Sequence, residues 1–329
     1  MLLQMKTSQY NHFTFRSDIS DKVARLTQSR IGENRVGDSL SLNWKDSSVQ
    51  YVILGISESI GPQANFGRSG AEKAFDAFLK VFVNMQVTSN MLAETFAFAG
   101  EITCERSFTD MEEARNTVVE LDRFVLEIIQ PIIELGKIPI IIGGGHNNSF
   151  PIIQAFYQSN KSLSIINMDA HADCRALDGR HSGNPFSYAI NQKKIDTYGV
   201  FGLHKAFNNR EIVEFLLENN VQFGYFDDYV FHPDQFMIDV KAYLATVSQE
   251  NFVGVELDMD CMANVPSSAM SPIGFTINDA RKYINECLIN GKVGYFHFPE
   301  GAVIQEGDDR TIGRILAQFV FDILAFQKN

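Results

Sequence analysis

A doubly wound α/β domain on a mostly parallel sheet of about eight strands is the fold class that this 329-residue sequence predicts. Three observations carry the prediction. From residue 51 onward, short β-branched and aromatic runs alternate with longer stretches whose apolar residues recur at three and four. No internal repeat or low-complexity linker interrupts that alternation. Polar residues able to do chemistry collect just after several of the runs, where open α/β sheets bind their ligands.

The strand candidates, in order, are YVILGI (51–56), TFAFAG (95–100), IPIIIGG (138–144), LSIINMD (163–169), TYGVFGL (197–203), VQFGYF (221–226), FVGVELD (252–258) and VGYFHF (293–298). The crossover helices fall at about 70–85, 110–136, 149–159, 209–219, 234–247, 277–290 and 309–327. The longest, DMEEARNTVVELDRFVLEIIQPIIELG, ends at Gly136, a residue suited to a helix C-terminus. Residues 1–50 are more polar with weak periodicity, so they read as an extension packed on the body or on a neighbouring subunit, with one catalytic domain over 51–329.

A formal net charge of -12 argues against nucleic acid and against an anionic membrane surface as partners. Cys104, Cys174, Cys261 and Cys287 form no C-x-x-C pair, so neither a zinc ribbon nor a disulfide framework is expected. With no signal-like or membrane-spanning run, the expectation is a cytoplasmic protein. The GGG of 143–145 fits neither the dinucleotide nor the P-loop spacing and reads as tight backbone beside His146.

The chemistry-bearing residues are in DAHAD, with Asp169, His171 and Asp173, and in DMD, with Asp258 and Asp260. Alternate residues of extended backbone point the same way, so each set can aim at one spot. Carboxylates and imidazoles crowded together are destabilised unless cations neutralise them. An oxygen-rich set with some imidazole suits an ion such as Mn²⁺ better than a thiolate-type zinc site. With His146 after the GGG these make six ligands, more than one tetrahedral ion takes, which points to two ions roughly 3.5 Å apart that ionise a shared water.

GGGH with His146, DAHAD and DMD, in this order and on these strands, resemble the three motifs of the arginase (ureohydrolase) family. The resemblance runs from about residue 50 to the end. ANFGRSGAEKAFDAFLK (64–80) is similar to the family's early Gly-Arg-x-Gly loop, and SGN (182–184) to its substrate loop with Asn184. The resemblance implies a three-layer α/β/α sandwich, two Mn²⁺ per subunit, hydrolysis of a small amidine or guanidine, and a trimer or hexamer. It also implies roles. His146 and Asp173 would bind one ion, His171 and Asp260 the other, and Asp169 and Asp258 both. Glu300, in FPEGA, would hold the cationic C–N group, and Asp260 would pass a proton to the departing nitrogen.

The sequence departs from arginases in three places. Phe186 stands where SGN is followed by a proton-handling His, Ala263 replaces the last acid of the third motif, and His204 and Lys205 replace Arg and Asp of a Gly-Leu-Arg-Asp loop. Losing an acid and gaining a cation suits a substrate carboxylate better than a free amino group. Arg68, Arg175, Arg180, His204 and Lys205 are the candidate partners for it, and His181 or His204 the candidate proton carriers. These features are similar to the formimidoylglutamase branch, whose reaction splits N-formimidoyl-L-glutamate into glutamate and formamide in histidine degradation.

Two other readings share these residues: an arginase-, agmatinase- or guanidinobutyrase-type enzyme releasing urea, and a non-catalytic relative that keeps the metals. A one-zinc deacetylase-like site is disfavoured by the full second-metal set. Cys174 and Cys261 each follow a proposed ligand and read as small packing residues, with a redox link between them as the sharper alternative.

Overall fold

The computed structural model describes residues 6–7, 12–41 and 43–327; the remainder of the 1–50 extension (1–5, 8–11 and 42) and residues 328–329 lie outside them. The eight expected strands all form. They are β3 (Tyr51–Ser57), β4 (Phe96–Cys104), β5 (Ile138–Ile142), β6 (Leu163–Met168), β7 (Tyr198–Leu203), β8 (Gln222–Tyr225), β9 (Phe252–Leu257) and β10 (Val293–Phe298). Two more precede them, β1 (Lys6–Thr7) and β2 (Phe13–Arg16). One ten-stranded sheet results, in the order β1-β2-β4-β3-β5-β10-β9-β6-β7-β8. From β4 to β8 every neighbour is parallel, whereas β2 joins β4, and β1 joins β2, antiparallel.

The central strands are apolar throughout because both faces are covered. Along β5, Ile140 and Ile142 enter one core and Ile141 the other. The first core is closed by helices 74–82, 235–246, 277–290 and 308–324, the second by helices 111–134, 149–158 and 185–191. This is the three-layer α/β/α sandwich. Helix 111–134 starts where the Asp110 carboxylate accepts the Glu113 N–H at 2.8 Å and ends before Gly136, whose φ of 74° suits glycine.

The two additional strands were not legible as strands because four and two residues are too short for a periodic signal. In β2, Phe13 and Phe15 point into the core beside helix 111–134, while Arg16 is exposed. Lys22 then pairs with Glu101 at 2.7 Å and with Asp76, and Glu101 also accepts from Ser57 Oγ at 2.7 Å. Residues 12–41 therefore complete one edge of the sheet. No helix of the described residues is long and apolar enough to cross a membrane.

The order of the sheet decides where the chemistry falls. The four loops carrying GGGH, PEG, DMD and DAHAD leave the carboxyl ends of β5, β10, β9 and β6, four consecutive neighbours in the sheet. The chain reaches β6 from β5 by crossing over the places of β10 and β9, which opens a crevice at that rim.

Candidate metal centre and substrate cleft

The ends of β6 and β9 are built alike. Asp169 Oδ1 accepts the backbone N–H of His171 at 2.7 Å, and Asp258 Oδ1 accepts that of Asp260 at 2.8 Å. Each short carboxylate thus folds its own loop into a tight turn. The turn carries the residue two positions on back to the same side, so each motif presents a pair of ligating groups. Asp173 follows with φ of 48°, a left-handed backbone that returns its carboxylate to the cluster.

His146 arrives from the end of β5. A Cβ on Gly145 would sit 2.3 Å from Pro62 Cδ, and one on Gly144 would sit 2.6 Å from Asn148 Nδ2, so larger residues there would push the loop away. Glu58, buried, clamps this loop by accepting from Gly145 N at 2.8 Å and Asn148 Nδ2 at 2.7 Å.

Two groups of ligating side chains border the cleft, and a third, His146 with Glu256 and His297, lies buried behind them. His146 Nδ1 lies 2.9 Å from Asp173, 3.0 Å from Asp258 and 3.3 Å from Asp169. His171 Nδ1 lies 3.1 Å from Asp260 and 3.7 Å from Asp169. Asp169 belongs to both groups through its two oxygens, whereas Asp258 joins only the His146 group. His146 makes no aligned hydrogen bond through either ring nitrogen, and the buried Asp260 Oδ1 has no partner among the described residues. One ring nitrogen crowded by three carboxylates, with no aligned hydrogen bond to any of them, fits ligands around a cation better than a hydrogen-bonded knot.

The electrostatics agree. Burial, with Asp260 and Asp169 beside it, pushes the Asp258 carboxyl well above the usual carboxylate range, and burial with Asp169 also raises Asp173. Burial pushes Glu300 up to about 8. Divalent cations would offset this crowding of desolvated carboxylates. The donor set therefore fits a metal of the hard or borderline class.

Glu300 follows β10 at φ of 65°, an uncommon backbone for a long side chain and one that local structure must hold in place. Its Oε1 accepts the His146 N–H at 2.8 Å and its Oε2 accepts from Ser268 Oγ. The cleft beside it has a volume of about 260 Å³ and is lined by His171, Asp173, Asp258, Asp260 and Glu300, together with Ser182, Ser268 and the exposed Phe66 and Arg175. Such a volume lies below the ~300–1,000 Å³ of pockets for drug-sized ligands, so it suits a small substrate. A larger cleft of about 980 Å³ between helices 277–290 and 308–324 lies away from these carboxylates.

Of the expected carboxylate partners, only Arg175 lines the cleft. Arg180 is corrected to a structural role. It is 3% exposed, binds Asp122, Asn147 O and Asn184, and packs over Phe150 and Tyr188, which leaves its guanidinium facing protein. Asn184 is likewise corrected: it donates to Ala176 O and Gly179 O and accepts from Arg180 and His181, fastening the SGN loop from within. Lys205 turns outward to Asp228 at 2.5 Å, and Arg68 is exposed away from the cleft lining.

His204 is stacked between Phe207 and Phe226, and Phe207 in turn stacks on His171. His181 bonds Asp178 at 3.3 Å and Gly183 N at 3.1 Å, and burial holds it down at about 4. Neither histidine lines the cleft. Phe186 packs edge-on to His146 and against Tyr198 instead of facing substrate space. Cys174 and Cys261 are free and pack in opposite cores of the sandwich, an arrangement that argues against the redox link between them.

Sequence reasoning missed Glu58, Ser268, Asn167, Glu256 and His297. Asn167 holds Asp169 Oδ2 at 3.0 Å, and Glu256 lies behind His146. The available signal was an acid and a histidine inside the apolar runs FVGVELD and VGYFHF, positions that are rarely ionisable without a partner.

A mostly parallel α/β/α sandwich with carboxylates and imidazoles gathered in candidate metal-holding groups at neighbouring strand ends is the frame of a hydrolase. Residues 49–324 match the arginase family, and the chain belongs to it. It is an enzyme of that family, and the relatives it resembles are formimidoylglutamases. That of Macrococcus caseolyticus is 25% identical over 273 residues, covering 80% of this chain and 82% of the relative. The crystal structure of formimidoylglutamase from Bacillus subtilis superposes with a TM-score of 0.75 at 16% identity, covering 90% of this chain and 94% of that one. Formiminoglutamase of Trypanosoma cruzi, solved with Mn²⁺, gives a TM-score of 0.69 at 19% identity, with coverage of 89% and 99%.

Proposed function

We propose that the protein is a two-Mn²⁺ hydrolase that converts N-formimidoyl-L-glutamate and water to L-glutamate and formamide, a cytoplasmic step of histidine degradation. The observation that carries this reading is the convergence of four consecutive strand ends beside one small cleft, with members of both ligand groups and Glu300 in its wall and His146 and Asp169 buried behind it. The names of the curated relatives favour the formimino substrate over arginine or agmatine.

His146, Asp169, Asp173 and Asp258 would hold one ion, and His171, Asp260 and Asp169 the other. Bound there, the cations supply Lewis acidity that ionises water at neutral pH. Glu300 accepts a charge-assisted hydrogen bond from the amidinium and fixes its carbon over the carboxylate cluster. Asp260 uses its unpartnered Oδ1 to receive a proton and give it to the departing glutamate nitrogen. Arg175, in the cleft lining, pairs with a substrate carboxylate.

The test offers Mn²⁺-loaded protein formiminoglutamate, arginine, agmatine and guanidinobutyrate in parallel, with Asp169→Asn as the blank. Formamide from the first compound alone is the expected result. Urea from a guanidine compound would replace the substrate reading, and no release from any of them would leave a non-catalytic metal protein.

A further inference from the structure

Glu256 and His297 form a buried ionisable pair that substrate space does not reach. Along β9, Val255 and Leu257 face the core under helix 277–290, which turns Glu256 to the opposite face, toward His146 and the start of helix 149–158. Glu256 and His297 are register partners on β9 and β10, both 0% exposed. Tyr295 donates to Glu256 Oε1 at 2.6 Å, His297 Nδ1 contacts Oε2 at 2.7 Å, and His146 Nε2 lies 3.5 Å from that same oxygen.

An acid placed here is costly unless it serves its neighbours. Its contacts suggest how it does so. The carboxylate only accepts, so the His297 proton between them sits on Nδ1, where Ser149 Oγ is also 3.2 Å away. His146 presents Nδ1 to three carboxylates at 2.9–3.3 Å and leaves Nε2 3.5 Å from Glu256 Oε2, within reach of that oxygen though not aligned on it. A histidine nitrogen that ligates a cation carries no proton, so the proton of a neutral His146 must be on Nε2.

We propose that Glu256, locked by Tyr295 and His297, is a positioning residue that accepts the Nε2–H of His146 and keeps Nδ1 aimed, as a lone pair, at the Asp169, Asp173 and Asp258 group. This rests on the metal reading above. It explains why an acid and a histidine stand in the middle of two apolar strands. The alternative is a polar knot that only holds the two strands together.

Titration of metal-free protein with Mn²⁺ by calorimetry separates the two. In Glu256→Gln, one of the two sites weakens by about 10- to 100-fold, the range for removing the partner of a ligating histidine, and the other is unchanged. In a His146→Ala background the same change adds no further loss, because its effect runs through that ring. Equal weakening of both sites, additivity with His146→Ala, or wild-type binding by a folded Glu256→Gln protein would each overturn the proposal.

If circular dichroism shows Glu256→Gln to be unfolded, Glu256→Asp takes its place. Withdrawing the carboxylate by one methylene should cause the same single-site loss, and normal binding would refute it. A wild-type protein that binds no Mn²⁺ would sink the metal reading and this inference together, which a defect confined to the variants would not.

Discussion

The floor of the cleft and its rim are made by different physics. On the floor, His146, Asp169, Asp258, Asp260 and Glu300 are at most 4% exposed and held by strand ends, backbone N–H groups and each other. At the rim, Arg175 and Phe66 are exposed on loops, Phe66 to 80%. If the proposed function holds, the contrast assigns the chemistry to the buried floor and substrate selection to the exposed rim. Changes on the floor should therefore remove metal or turnover outright, and changes on the rim should move only substrate affinity.

The largest effect is expected at Asp169, the one carboxylate shared by both ligand groups. Asp169→Ala should empty both sites, measured as metal content after dialysis. Its turnover should fall beyond the ~10²-fold ceiling of changes that only disturb a ligand's partner. Retention of one full equivalent of Mn²⁺ would show that the groups are independent and would break the picture of a single floor.

Next in size is Glu300→Gln. The Gln carbonyl can still accept the His146 N–H, so Mn²⁺ content should stay at the wild-type level. Losing the charge that orients the amidinium should lower kcat/KM by about 10²-fold, the cost of a misplaced reacting group. If metal content fell in parallel, Glu300 would belong to the support of His146 and not to the substrate site.

This division also explains what could be read from the sequence. Seven of the eight main strands were legible because burial on both faces leaves long apolar runs, the half-exposed edge strand β8 being the exception, and DAHAD and DMD were legible because a carboxylate two residues before its partner encodes a local turn. Their convergence needed only the expectation that ligands meet at strand carboxyl ends. Arg180 was misread because its partners, Asp122 and Asn147 O, lie 58 and 33 residues away in the chain, and Asn184 was misread with it, since its side-chain oxygen accepts from Arg180. Nothing local in RHSGN distinguishes a cation that reaches substrate from one that stacks on Phe150 and Tyr188. Asp258 resisted for a related reason. Each of the two aspartates spends one oxygen on its own turn, and only the placement of Asp169, at the end of β6 between the two histidines, puts it in both groups.

The smallest expected effects lie at the rim, and they sharpen the comparison most when taken as a pair. Arg175 lines the cleft, so Arg175→Met should raise KM for a dicarboxylate amidine by about 10- to 100-fold, the range for losing a hydrogen bond to a charged group, with kcat largely retained. Lys205 was an equal candidate in the sequence, yet its Nζ pairs with Asp228 while its stem lies over Tyr225. An exposed ion pair of this kind contributes little, so Lys205→Met should change KM by less than about 2-fold. Steady-state kinetics on both variants decides the point. Equal increases in KM would mean that the loop after β7 swings its lysine off Asp228 and onto bound substrate. The rim would then be a closing element, and Phe207, stacked between His171 and His204, would be the joint that links that closure to the metal floor.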